Sequence, residues 1–154
     1  MLFRSGVGRS TFKKEVDAFV KYAPIRQSKG PWSSPVTVAL VSGITIDGLP
    51  WADPTRQNYF TSRLGFYNQV IIGRKFSEGF TLQVTPTLVH KNLVQLATDA
   101  NDIYAIGIGG RIKVSKRVAL TWDYTHVLNG LSTGYYDPLS FGIDIETGGH
   151  VFQL

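Results

Sequence analysis

The side chains that could do chemistry are few. His90 and His126 fall on the same side of alternating stretches, and Ser62 shares that side one stretch earlier. A serine beside a histidine on the outer rim of a barrel suits a hydrolase acting on lipid, because lipid arrives from that side. The competing reading is a belt of amphipathic rings at headgroup level, with Tyr104 lying between the two histidines. Neither His90, His126 nor His150 has the paired spacing of a zinc motif, and the chain has no cysteine to supply a thiolate. Asp123 with Asp144 or Glu146 imitates a glycosidase carboxylate pair, as any acidic residues on adjacent strands do. Gly107-Ile108-Gly109-Gly110 sits inside a strand with no helix after it, so it is not a dinucleotide fingerprint. The expectation is therefore a protein that is not an enzyme, with no catalytic residue, cofactor or metal.

The elements that position these residues read at period two. Phe80–Lys91 is the clearest stretch: Phe80, Leu82, Val84, Pro86 and Leu88 alternate with Thr81, Gln83, Thr85 and Thr87. Further strands are expected over 12–24, 35–46, 59–73, 104–114, 118–125 and 139–146, with partial strands at 2–8 and 150–154. KKEVDAFVKY also fits a helical period, and a helix is the rival over 12–24. Seven full strands and two stubs at regular spacing predict an all-β, antiparallel up-and-down meander, about eight strands' worth of wall. Pro86 has no N–H for a ladder, so a bulge or a missing ladder bond is expected there.

The connections alternate in length. GRKFSE, SKR and TGG are short, while DGLPWADPTRQN, NLVQLATDAND and LNGLSTGYYD are long. Short turns at one end and long loops at the other are the pattern of an outer-membrane barrel. The eight residues 27–34 fit poorly, since they belong at the short-turn end. Aromatics near strand ends (Tyr59, Phe60, Phe80, Tyr104, Trp122, Tyr124) suit girdles at the two water boundaries. A soluble lipocalin-like barrel that encloses an apolar ligand gives the same alternation, with Phe66, Val84 and Ile108 turned inward. Most of the expected strands, at about 11 to 15 residues, exceed the ~5–6 of globular proteins and suit a bilayer crossing.

At 154 residues the chain is expected to be one domain, 1–154, incomplete at both ends. A net charge of +5 is spread along the sequence without a basic run, which argues against nucleic acid as a partner. No apolar run approaches the ~18 residues of a membrane helix, and the first residues are too short for a signal peptide. A leader is expected upstream. On strand parity, Lys13, Glu15, Asp17, Lys21, Arg63, Lys91, Arg111, Lys113, Asp123, Asp144 and Glu146 share the polar inner face. They form either an internal salt-bridge network filling a small barrel or the lining of a weakly selective channel. Their near balance argues against a charged-ring filter.

Four segments carry a resemblance: GVGRSTFKKEVDAFVKY, FTSRLGFYNQVIIGRKFSEGFTLQVTPTLVHKN, NDIYAIGIGGRIKVSKRVALTWDY and FGIDIETGGHVFQL. The chain resembles a family of uncharacterised outer-membrane β-barrel proteins of Bacteroidota-type Gram-negative bacteria. PTLVHKN and IETGGHVFQL are the most specific parts. The resemblance implies a secreted precursor, a barrel in the outer membrane, no established activity, and a chain that corresponds to the middle and late part of such a barrel. The expected partners are the lipid bilayer and small solutes.

Overall fold

The computed structural model describes residues 2–31, 33–94, 96–130 and 136–153. Part of the long loop LNGLSTGYYD, and Leu154 of the final stretch, lie outside them. Among these residues there are nine strands: β1 (Leu2–Arg9), β2 (Val16–Ile25), β3 (Thr37–Ile46), β4 (Leu64–Lys75), β5 (Phe80–Lys91), β6 (Asp102–Lys113), β7 (Val118–Val127), β8 (Leu139–Glu146) and β9 (Val151–Gln153). They pair antiparallel in chain order within one sheet, the up-and-down meander that the alternation predicts.

Two expected strands start late. The chain turns at Thr11–Glu15 instead of extending: Lys13 and Lys14 take positive φ (53° and 47°), and the Ser10 N–H donates to the Glu15 carbonyl at 2.8 Å. The only helical residues there are the 3-10 turn Phe12–Lys14, so neither the helix nor the early strand start holds. Tyr59–Arg63 alternates like a strand but coils into a 3-10 turn over Phe60–Arg63, and β4 begins at Leu64. In both places the long-loop end needs a reversal, and closing the turn overrides local pattern. The misfit segment 27–34 lies in the β2–β3 connection, which leaves β2 through a register shift between Tyr22 and Ile25.

Pairing is staggered along the sheet. The row that starts at Leu139, first residue of β8 at the long-loop end, runs through Tyr124, Ile108, Val84, Ile72 and Val38. It ends at Ile25, last residue of β2 at the short-turn end. One row thus climbs a whole strand length, as it must when strands tilt in a barrel wall.

Burial identifies the concave side. Along β6, Ala105, Gly107 and Gly109 are buried, while Tyr104, Ile106 and Ile108 are exposed. Ala23, Ala39, Ala119, Thr85 and Asp144 are buried on the same polar side. Arg111 of β6 reaches Asp144 of β8 across β7 on that side, which requires the sheet to curl toward it. Small side chains make the tight curl possible: the Tyr67 ring lies over Gly43 of the neighbouring strand, in space that any Cβ would fill. The opposite side exposes Leu40, Val70, Ile72, Ile106, Ile108, Ile112, Leu120 and Ile143. A water-soluble barrel would bury these residues, so the lipocalin-like alternative, with Val84 and Ile108 around a ligand, does not fit: they are 36% and 40% exposed. One polar pair interrupts this face, the Ser42 hydroxyl donating to Asn68 Oδ1 at 2.9 Å.

At Pro86 the β5–β6 pairing is continuous. On the β4 side the partners jump from Gln69↔Thr87 to Ile72↔Val84 with unchanged register, so there is no bulge. The ladder is interrupted where Val70 and Ile71 face Pro86 and Thr85, as an imide without N–H dictates.

Candidate functional site

The concave face carries the polar side chains, and register decides which of them meet. Asp144 of β8 lies opposite Ala119, a fully buried residue whose small side chain leaves the carboxylate open to β6. Arg111 Nε donates to Asp144 Oδ2 at 2.8 Å, and Gln153 Nε2 of β9 donates to Oδ1 at 3.2 Å. The Asp144 side chain is 8% exposed, against 41% for Arg111. Three strands are tied by one carboxylate.

Asp123 shares the face with Gln83 and Gly109, with which it is in register through β6. It accepts one long hydrogen bond, 3.5 Å from the Thr125 hydroxyl. Thr85 is buried nearby, and its hydroxyl has no hydrogen-bond partner among the described residues. Lys91 ends β5 at the long-loop mouth, while Lys113 and Glu146 end β6 and β8 at the short-turn mouth, and all three are exposed. Among the described residues of the concave face, Arg111–Asp144 is the one ion pair within hydrogen-bond distance. The expected internal salt-bridge network is absent there, because stagger separates the charges along the strands.

Arg63, the last residue of the 3-10 turn, sits at the long-loop rim, where Nη1 donates to the carbonyls of Asp47 (2.7 Å) and Leu49 (2.5 Å). Its guanidinium lies 4.0 Å from the Trp51 ring centre, so it clamps the β3–β4 loop. Lys13 and Glu15 likewise sit in a turn before β2 rather than on the expected face. Sequence parity missed Arg4, which register places directly opposite Lys21 on the concave side. The signal for it was present, since β1 was expected over 2–8, but its pairing offset was not.

His90 and His126 lie on the outer face, at the long-loop rim. His90 Nδ1 meets Asp102 Oδ1 at 2.7 Å, and Phe66 packs beside its ring. His126 Nδ1 meets Asp137 Oδ2 at 2.7 Å; the same carboxylate accepts from the Tyr124 hydroxyl (2.9 Å) and the Val127 amide (2.9 Å). Ser62 sits inside the 3-10 turn, and no hydrogen bond joins it to His90 among the described residues, so the alternative Ser–His pair is not joined here. Asp137, in the β7–β8 loop, has its pKa lowered to about 2, first by the Val127 amide and then by His126 and Tyr124. Lys75 at the opposite rim donates to Glu78 at 2.7 Å and holds that carboxyl below its ordinary range. Of the aromatics expected in girdles, Phe80 stacks on Phe76 at the short-turn end (5.6 Å). Trp122 instead sits in mid-strand, its ring over Gly110.

A sheet with a polar hollow and an exposed apolar outside is consistent with the family match. Residues 2–154 match the model of a family described as "Membrane bound beta barrel domain (DUF5777)". The chain belongs to this family. No curated protein and no solved structure matches it. In this membrane-bound barrel domain Ile72, Val84, Ile108 and Leu120 lie exposed on the outer face, and Thr, Gln and charged side chains lie on the concave one. No described helix is long and apolar enough to cross a membrane.

Proposed function

We propose that this domain forms the wall of a water-filled, porin-like outer-membrane barrel that passes small polar solutes with weak selectivity and performs no catalysis. One observation carries this reading: Asp17, Lys21 and Asp123 on the concave face have no ion-pair partner among the described residues, and side chains left charged in this way need water. The resemblance to barrels of Bacteroidota-type Gram-negative bacteria supports the outer membrane as the location. Short turns at one end and long loops at the other support it too. In hydrocarbon every backbone group must be paired, so the reading requires the β1 and β9 edges to meet other strands. A structural role is the second reading, favoured by the Arg111–Asp144–Gln153 tie. Reconstitution of the full-length protein in planar bilayers separates the two. Stepwise conductance is expected, and a heat-modifiable, folded but silent barrel would remove the pore.

A further inference from the structure

We propose that Arg4 and Lys21 form a binding station for a small oxyanion, a phosphate or carboxylate group, on the concave face. The two residues are direct cross-strand partners of β1 and β2. Side chains so placed start ~5 Å apart, and like charges in that position repel. Lys21 is half-buried, so water alone screens it poorly. Neither residue has an acidic partner among the described residues.

The surroundings explain why no internal carboxylate fills the gap. Asp17 is on the same face of β2 but four residues away, about 13 Å along a strand, beyond the ~8 Å screening length of physiological salt. Phe19 stands between them: a Cβ on Gly6 would come within 2.6 Å of its ring. Asp17 itself folds over Gly8, its Oδ1 2.6 Å from where a Cβ would be. Asp144 is already engaged with Arg111. The Phe19 ring over Gly6 and the buried Ala23 bound the two cations on either side along the strands. A guanidinium offers a planar fork to an oxyanion, and an ammonium beside it adds a point charge.

The station deepens the pore reading, and its use in transport rests on that reading; its occupancy does not. The test is calorimetric titration of the detergent-folded, full-length protein with inorganic phosphate at constant ionic strength, chloride as reference. Binding is expected, weakened by about tenfold or more in the Arg4→Gln, Lys21→Gln double variant and unchanged in Lys113→Gln. Lys21→Glu is a second variant that pairs internally with Arg4. It should lose phosphate binding and melt higher than the parent. No binding by the parent protein, or equal binding by the double variant or by Lys21→Glu, overturns the proposal. Conductance of the same proteins keeps the two readings apart. A silent barrel whose phosphate binding depends on Arg4 and Lys21 sinks the pore alone, and a conducting barrel with indifferent variants sinks the station alone.

Discussion

The two ends of the sheet treat charge on the concave face in opposite ways. At β6–β9, Arg111, Asp144 and Gln153 close into a hydrogen-bonded group over Ala119. At β1–β2, Arg4 faces Lys21, and the neighbouring carboxylate is turned away over Gly8. Both arise from the same polar-in, apolar-out alternation. The difference lies in register, which decides whether unlike or like charges come together. One end is self-sufficient, and the other calls for water or a ligand.

Four substitutions would break or sharpen that contrast. The largest effect should come from the face the two ends share: Val84→Arg places a charge in the apolar outside and is expected to cost roughly 2–4 kcal/mol in denaturant unfolding from phospholipid vesicles. A cost near zero would mean that this face does not meet lipid. Next, Asp144→Ala leaves a partly solvated Arg111 without its carboxylate and should cost about 1.5–3 kcal/mol. Equal stability of parent and variant would show that the self-sufficient end is only apparently so. Removing a cation at the other end, Lys21→Gln, should instead be neutral or stabilising by about 0.2–1 kcal/mol. Destabilisation by more than that would show that Lys21 has a partner in the folded barrel.

The smallest effect is at the rim. Because the Asp137 pKa is depressed to about 2, its contribution is fully present above its ordinary value of 3.8 and is lost as pH falls toward 2. Asp137→Asn should therefore abolish the part of the acid response of amide exchange at Val127 that lies between those values. An unchanged exchange profile would mean that the carboxylate does not pin the loop.

Much of the fold was legible because a half-wet strand has to alternate. β5 was expected over Phe80–Lys91 and spans those residues, β8 matches 139–146, and the ladder gap beside Pro86 followed from one missing N–H. What failed was at the ends of strands and across them. Tyr59, Phe60 and Arg63 have strand-like chemistry, yet the chain there must turn back, so Arg63 became a clamp at the rim. Parity placed Lys21, Arg111, Asp123 and Asp144 on one face. It had no means to pair them, because stagger between strands is fixed by turns and packing rather than by any single strand's pattern. The Ser62–His90 pairing failed for the same reason: a shared face is not a shared place.

The climbing row from Leu139 to Ile25 has a consequence for depth. Neighbours along that row are a single strand apart, yet its two end residues sit at opposite ends of the strands, one beside the long loops and one beside the short turns. A fluorophore or spin label at Leu139 should therefore report quenchers confined to one leaflet, and a label at Ile25 those in the other. Val84 and Ile72, between them on the same row, should sense the hydrocarbon middle. Pairing tables give adjacency in this wall, and immersion has to be read along the tilt.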